Sequence, residues 1–344
     1  MDVGRDPRTI GITSTIPVEV VFAAGLAPVD LNNLFMTHGR RRSLVAAAEA
    51  AGFPLNFCAW IKGIYGACKH YSIQRVIGVV QGDCSNTHLL FEILEEEGVE
   101  VVPFEYPPGR DASRLKASIE RLASTLGTDL ASAEASRLQM QPLREKLETL
   151  DSMTWREGRV TGRENHLWLV NSSDMRGDRY RYETELDLFL AEAAGRPANH
   201  APLRLGFLGI PPIVDDIYEA LEQRGAQVVF NEFQRQFSMP GAHRCIVEQY
   251  LTYTYPYRTA LRLADIKEET AKRKIDGHVH YVQSFCYRQL QHRAVKKAAG
   301  VPVLALEFDR PGRLDGRSIT RIEAFIELLE ARRLRAVKRG QEGS

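Results

Sequence analysis

The sequence predicts an α/β protein that contains two parallel-sheet domains and an additional helical segment. Short apolar, strand-like segments alternate with helical stretches towards both ends of the chain, as in strand–helix–strand units. The 344 residues exceed the size of one ordinary domain and suit two. We therefore predict an N-terminal domain over residues 1–195, with a helical extension over about 110–195, and a C-terminal domain over 196–344.

The N-terminal domain is predicted to begin with a strand and to end in a βαβ unit. Apolar and β-branched residues predict strands at 9–13, 75–80 and 99–104. Helices are predicted at 18–24, 43–51 and 88–97. Pro17 is favourable at a helix start and Gly98 at a helix end. The last strand–helix–strand stretch predicts two parallel strands joined by a crossover helix.

The segment from about 110 to 195 differs from its surroundings. It is rich in Arg, Glu, Leu and Ala at helical spacing, and only residues 166–170 resemble a buried strand. We expect helices here that cover or extend the first domain.

The C-terminal domain repeats the alternation of the first. Strands are predicted at 205–208, 227–230, 278–282 and 302–306, and helices at 213–224 and 289–299. Asp215 and Asp216 are expected in the first turn of the helix at 213–224, where they complement the helix dipole. Both domains are therefore predicted to be Rossmann- or flavodoxin-like, with helices on both faces of a parallel sheet.

Composition and charge favour a soluble cytoplasmic protein. The chain is 44% hydrophobic and 26% charged, with 45 basic and 44 acidic residues and a net charge of +1. This balance does not favour nucleic acid or an anionic membrane as the main partner. Residues 1–6 carry charges where a signal peptide would be apolar, and Glu19 interrupts the longest apolar run, at 18–29.

Three cysteines share one predicted setting, a loop that leads into a helix. Cys84 follows the strand at 75–80, Cys286 follows the strand at 278–282, and Cys58 lies in the first turn of a helix that Asn56 would cap. Ligands of open α/β sheets bind at the carboxyl ends of the strands. Backbone N–H groups and the positive helix end are expected to lower the thiol pKa and favour thiolate, the form that binds iron.

The other two of the five cysteines fit this setting less well. Cys68 follows Cys58 by ten residues on one helix, which separates them by roughly 15 Å. Cys245 precedes another helix, and we expect both residues to be structural. The odd number argues against a disulfide framework. The gaps of 26 and 202 residues between Cys58, Cys84 and Cys286 match no compact zinc or ferredoxin motif.

Other side chains have weaker patterns. His278 and His280 face the same side of a strand, as a metal pair or as polar residues of the strand face. Asp83 is expected to tune a bound group, to act in acid–base chemistry or to cap the following helix. A tyrosine-rich segment that ends at Arg258 is expected to line a ligand pocket or to pack on a domain surface, and its tyrosines are Tyr250, Tyr253, Tyr255 and Tyr257. The sequence has no glycine-rich nucleotide fingerprint, P-loop or serine-hydrolase elbow.

Four stretches of the chain resemble the D-component family of (R)-2-hydroxyacyl-CoA dehydratases, which is related to the benzoyl-CoA reductase subunits. The stretches are residues 16–29; Cys58 with 61–63 and 82–87; 209–212 with 222–229; and Phe285-Cys286 with 300–309 and 320–325. The chain departs from the family pattern at Ser85, where Asp is frequent, and at Tyr287 and Arg288, where an acidic residue and His commonly follow the third cysteine.

The resemblance implies an oxygen-sensitive iron–sulfur enzyme component of anaerobic metabolism. It implies a [4Fe-4S] cluster on Cys58, Cys84 and Cys286, with one iron open and with Asp83 and Ser85 next to the ligands. The implied reaction is radical chemistry: one-electron reduction of a CoA thioester gives a ketyl that expels the 2-hydroxyl group and allows removal of a β-proton. The implied partners are a related subunit or a second copy, an ATP-dependent iron–sulfur activator and an acyl-CoA substrate.

Two alternatives remain within this resemblance. One is a double-cubane [8Fe-9S] reductase of small molecules, driven by ATP, in which Cys68 and Cys245 would be additional ligands. The other is a cluster-bearing electron-transfer subunit whose sibling holds the active site.

Overall fold

A computed structural model describes residues 3–342 and contains two parallel sheets. Each sheet has four strands, in the order β2-β1-β3-β4 in the first and β6-β5-β7-β8 in the second, and all paired strands are parallel. The strands are β1 (Thr9–Ile12), β2 (Ala27–Asp30), β3 (Arg75–Gln81), β4 (Glu100–Glu105), β5 (Leu203–Leu208), β6 (Ala226–Asn231), β7 (Gly277–Gln283) and β8 (Val303–Phe308). The predicted fold class is confirmed.

Fifteen α-helices accompany these sheets in the described range. They are α1 (Val18–Ala23), α2 (Leu31–Thr37), α3 (Arg41–Ala50), α4 (Ala59–His70), α5 (Ser85–Glu96), α6 (Ala112–Thr125), α7 (Leu130–Trp155), α8 (Gly162–Asn171), α9 (Arg179–Ala194), α10 (Ile217–Glu222), α11 (Glu232–Phe237), α12 (Ile246–Thr252), α13 (Thr259–Lys272), α14 (His292–Ala298) and α15 (Gly316–Glu342). Short 3-10 helices lie at Val3–Arg5, Pro108–Arg110, Met175–Gly177 and Tyr287–Gln291. Within residues 3–342 no helix has the length and apolar character needed to cross a bilayer.

The two halves have the same order of elements. Each runs strand, helix, strand, three helices, strand, helix, strand, from β1 to β4 and again from β5 to β8, with an added 3-10 helix before α14. Strands β6 and β7 are buried along their whole length, as expected for parallel strands covered on both faces. Helices α6–α9 lie between the two halves in sequence, in the segment predicted to be helical.

Helix α7 is tied to both halves by buried ion pairs. The Arg144 guanidinium donates to Glu19 of α1 and, over 2.9 Å, to the carbonyl oxygen of Ser238. The Arg273 guanidinium donates to both carboxylate oxygens of Asp151, over 2.9 and 2.6 Å. Because loss of one partner would leave a buried charge, these contacts fix how the helical segment meets the sheets.

Two local predictions are wrong. Residues 166–170 lie in helix α8, which starts with a reciprocal capping box between Thr161 and Glu164, and not in a strand. The helix predicted at 213–224 is limited to α10. Asp215 and Asp216 precede its first turn, because Asp215 N–H donates to Gly312 and the Asp216 carboxylate accepts from Leu314 N–H.

Candidate functional site

A cavity of about 310 Å³ lies between the two sheets, at the carboxyl ends of their strands. Its walls come from the segments after β1, β2 and β3, from those after β5 and β7, and from helices α4 and α8. In each sheet the strand order reverses between the two central strands, which is the point where open α/β sheets bind ligands. The two switch points face one cavity.

Cys58, Cys84 and Cys286 all line this cavity. Cys58 occupies the N-cap position of α4, so the prediction that Asn56 caps this helix is wrong. Cys84 has the same position before α5, and Cys286 before the 3-10 helix Tyr287–Gln291. The fold therefore brings together three thiols that are 26 and 202 residues apart in sequence.

Backbone N–H groups face each thiol. Those of Trp60 and Ile61 face Cys58, those of Asn86 and Thr87 face Cys84, and that of Arg288 faces Cys286. This is the environment expected at a helix start, where N–H groups have no partner within the helix. Such donors suit thiolate sulfur atoms that carry negative charge.

The predicted lowering of the thiol pKa is nevertheless wrong for the thiols by themselves. Burial raises the pKa of Cys58 to about 11 and also raises the pKa values of Cys84 and Cys286, because removal from water outweighs the nearby N–H groups. Direct coordination to a metal ion would reverse this, since a coordinating thiol loses its proton.

In the described part of the chain, no three His, Cys, Asp or Glu side chains are close enough to hold a single metal ion. A single ion draws its ligands around one point, whereas a cubane presents a separate iron atom to each thiolate. Three thiols around one cavity, each beside backbone N–H donors, fit the larger group.

Asp83, Tyr255 and Arg288 form a continuous wall beside Cys84 and Cys286. The Asp83 carboxylate accepts from Cys84 N–H over 2.7 Å and from the Tyr255 hydroxyl over 2.8 Å. The Arg288 guanidinium carbon lies 3.9 Å from the centroid of the Tyr255 ring. Burial raises the pKa of Asp83. Asp83 therefore positions the turn to Cys84 and, through Tyr255, the side chain of Arg288, the second residue after Cys286.

A pair of buried carboxyl groups, Asp30 and Asp174, was missed by sequence analysis. Asp30 lines the cavity, and its backbone N–H donates to Asp174 over 2.7 Å. The Asp30 carboxylate accepts from Ser173 and from Asn32, and neither aspartate has an ion-pair partner within the described residues. Burial and the charge of Asp30 raise the pKa of Asp174 to about 7, and burial raises that of Asp30. The only sequence signal was an aspartate directly after a short apolar segment.

A family model described as "2-hydroxyglutaryl-CoA dehydratase, D-component" matches residues 13–329. The chain belongs to this family. The match includes all three cysteines of the cavity and seven of the eight strands, since β1 precedes residue 13.

Other comparisons add little to this assignment. No curated protein matches the chain. Among solved structures, a similar one is the SBP FpvC from Pseudomonas aeruginosa in complex with Mn2+, with 12% identity, a TM-score of 0.24, and coverage of 94% of this chain and 97% of that one. A similarity of this size supports no conclusion about fold or ligand.

Three other residues singled out in the sequence lie outside the cavity lining: Cys68, Cys245 and Ser85. Cys68 is 1% exposed within α4, with its thiol 3.7 Å from the carbonyl oxygen of Ile73. Cys245 is half-buried at the start of α12. Ser85 is exposed at the start of α5.

Some of the tyrosine and histidine side chains singled out in the sequence line the cavity, and others do not. Tyr253 and Tyr255 line the cavity. Tyr250 is buried elsewhere, and its hydroxyl donates a hydrogen bond to Glu19. His278 contacts Thr270 over 2.8 Å and His280 contacts His292 over 3.0 Å. Burial lowers the pKa of His278 to about 4, so this side chain is a neutral part of the sheet packing.

Proposed function

We propose that the chain is the cluster-bearing component of a (R)-2-hydroxyacyl-CoA dehydratase, with Cys58, Cys84 and Cys286 as ligands of a [4Fe-4S] cluster. One observation supports this most strongly: these three cysteines, and no other, line the cavity between the described sheets. Three thiolates leave one iron available to a ligand from outside the protein.

When bound, the cluster would supply the single electron that reduces the CoA thioester. The chain's own residues hold and shield this group. Trp60, Ile61 and Ile64 of α4 line the cavity beside Cys58 and exclude water from its wall. Exclusion of water strengthens the electrostatic interactions of any charge that develops inside.

The same reaction requires a group that removes the β-proton of the acyl chain. Asp30 is the candidate, because its carboxyl group lies in the cavity wall and is coupled to a second buried carboxyl group, Asp174. Two adjacent buried carboxylates resist simultaneous ionisation, so the pair holds one proton near neutral pH. An ionised Asp30 would take the proton on a carboxylate oxygen.

A partner is expected on the face that carries Cys286. Large apolar side chains are exposed there: Phe285 is 53% exposed, Tyr287 48% and Leu290 86%. A related subunit or a second copy of the chain would cover this face, and an ATP-dependent iron–sulfur activator would deliver the electron. An exposed apolar patch of this kind is typical of an interaction surface.

The position of the remaining cysteines favours one cubane over the double-cubane alternative. A double cubane would require further thiolates beside the first three, whereas Cys68 is buried inside α4 and Cys245 lies outside the cavity. An electron-transfer subunit would hold the same cluster, and only an activity measurement separates it from the enzyme component.

The test is turnover of 2-hydroxyacyl-CoA thioesters without oxygen. The reconstituted chain, with and without a co-expressed related subunit, is given an ATP-dependent activator, and the 2-enoyl-CoA product is measured by mass spectrometry. We expect product from wild type and none from Cys84→Ala. Equal product from Cys84→Ala would contradict the proposal, and activity that depends only on cysteines of the sibling would favour the electron-transfer role.

A further inference from the structure

Two hydrogen-bond donors beside Cys286 have no acceptor in the described part of the protein. They are the side-chain Nε2 of Gln283 and the Nε of Arg288. Both residues line the main cavity together with Cys286, and all three also line a second, smaller pocket of about 20 Å³ behind it. A buried donor without an acceptor is unfavourable, so we expect both donors to face a group that binds at this place.

The Gln283 amide has a fixed orientation. Its Oε1 accepts a hydrogen bond from the Tyr281 hydroxyl, which leaves the Nε2 end to face the other way. Its backbone carbonyl oxygen accepts from Cys286 N–H over 3.1 Å and from the Gln289 side chain over 2.9 Å. Gln283 is 2% exposed, so the free donor is held in a tight turn next to the cysteine.

Arg288 is a cation held without a carboxylate partner. No Asp or Glu oxygen of the described residues lies within ion-pair distance of its guanidinium. The group stacks on Tyr255 and donates through Nη2 to the Tyr255 carbonyl oxygen over 3.0 Å. Its charge acts on Cys286, where it favours the thiolate, and Asp83 is the acidic side chain that acts on it in turn. This arrangement places a positive charge beside the sulfur of Cys286.

We propose that Gln283 and Arg288 are positioning residues that raise the reduction potential of the cluster by acting on the sulfur atom of Cys286. This inference rests on the proposed function. The step concerned takes one electron from a low-potential iron–sulfur protein and adds one negative charge to the cluster, and no bond to carbon forms or breaks. Donors to sulfur and a nearby cation stabilise the more negative state, and both are known determinants of cluster potential.

A competing acceptor would be an oxygen atom of the substrate. In that case removal of the donors would raise the KM for an acyl-CoA and leave the cluster's potential unchanged. A measurement on the cluster itself, without substrate, distinguishes a cluster acceptor from a substrate acceptor.

The experiment is a redox titration of the anaerobically reconstituted full-length chain, followed by electron paramagnetic resonance of the reduced cluster. The solution is poised at the wild-type midpoint with Ti(III) citrate and mediators. We expect Arg288→Gln to lower the ratio of reduced to oxidised cluster about tenfold, equivalent to ~59 mV for a one-electron couple. Gln283→Leu should also lower this ratio, and the ratio of Arg288→Lys should be closer to that of wild type.

Arg258→Gln is the matched control. It removes the same charge from a different segment, and Arg258 is exposed before α13, where water and salt screen its charge. We expect its ratio to equal that of wild type.

Clusters that are intact in Arg288→Gln and Gln283→Leu but have unchanged ratios would overturn the tuning role alone. If Arg288→Gln loses iron, the same decision rests on Gln283→Leu, and an unchanged ratio in that variant overturns it. A wild-type chain that binds no iron overturns the proposed function and the tuning role with it.

Discussion

Cys84 and Cys286 occupy corresponding positions in the two sheets. Each is the third residue after a seven-residue strand that ends in glutamine, β3 or β7, and these strands have the same place in the order of their sheets. The repeat of elements therefore supplies two thiols to one cavity. Cys58 has no thiol counterpart, because the helix in the matching place, α13, begins after Arg258.

The turn before Cys84 depends on Gly82. This residue has φ +97°, and a Cβ there would lie 2.8 Å from the Cβ of Tyr106 and 2.9 Å from that of Pro256. We expect Gly82→Ala to lower the free energy of unfolding by about 2–4 kcal/mol, through a strained backbone and an overpacked contact, and to reduce the bound iron.

Gly98→Ala is the control for that prediction. Gly98 has φ +85° and no atom within 4 Å of an added Cβ, so its substitution costs backbone strain alone, about 1–2 kcal/mol. Urea unfolding and iron analysis of both variants separate the two contributions. An equal loss in both would show that the contact with Tyr106 and Pro256 is unimportant.

The Asp30–Asp174 pair predicts a loss of stability as pH rises. Since the pKa of Asp174 is about 7 in the native state, the native state keeps this proton up to about pH 7, whereas the unfolded chain releases it near the ordinary aspartate pKa of 3.8. The native state is thus favoured at low pH. As the pH rises from about 4 to 7, the free energy of unfolding falls by roughly 2–4 kcal/mol.

Asp174→Asn removes the titration and should flatten this part of the pH profile. Urea unfolding of the iron-free chain at pH 5 and pH 8 measures it, with the exposed Asp309→Asn as the control. A profile in Asp174→Asn as steep as that of wild type would show that the proton does not reside on this pair.

Asp30→Asn tests the proposed proton acceptor. Loss of a general base lowers turnover by about 10²–10⁴-fold, and we expect this loss with unchanged iron content and unchanged reduction potential. Asp309→Asn again controls for a change of charge at the surface. Full activity in Asp30→Asn would assign proton removal to another group.

The loop after β5 depends on a buried ion pair. The Glu232 carboxylate accepts hydrogen bonds from Nη2 of Arg262 over 2.8 Å and from Gly209 N–H over 3.0 Å. Both charged side chains are buried. We expect Arg262→Met to cost about 3–5 kcal/mol because it leaves a buried charge unpaired. Glu232→Gln in addition should recover part of this loss, and urea unfolding of the double variant measures the recovery. No recovery would mean that packing of Arg262 matters more than its charge.

Much of the fold was predictable because its strands are continuous apolar segments. Strands β3, β5 and β7 begin and end within two residues of the predicted positions. Strand β2 was missed: it is a four-residue edge strand that contains Pro28, a residue that argues against a strand. The predicted end of α10 is two residues too late and its predicted start is four residues too early, since the contact of Asp215 with Gly312 joins residues far apart in sequence.

The site was predictable only in part. The placement of Cys84 and Cys286 before helices and of Cys58 at a helix start could be inferred from local sequence, and the structure places all three around one cavity. Tyr255 and Asp174 come from distant segments and reach the site only through folding. The direction of the thiol pKa shifts depends on burial, which no local pattern contains.

The most direct test is the iron and acid-labile sulfide content of the chain purified without oxygen. We expect about four of each per chain, lost in Cys58→Ser, Cys84→Ser and Cys286→Ser, and retained in Cys68→Ser and Cys245→Ser. About eight irons per chain, with losses in the Cys68 and Cys245 variants, would indicate a double cubane, and no iron after careful reconstitution would contradict the iron–sulfur site itself.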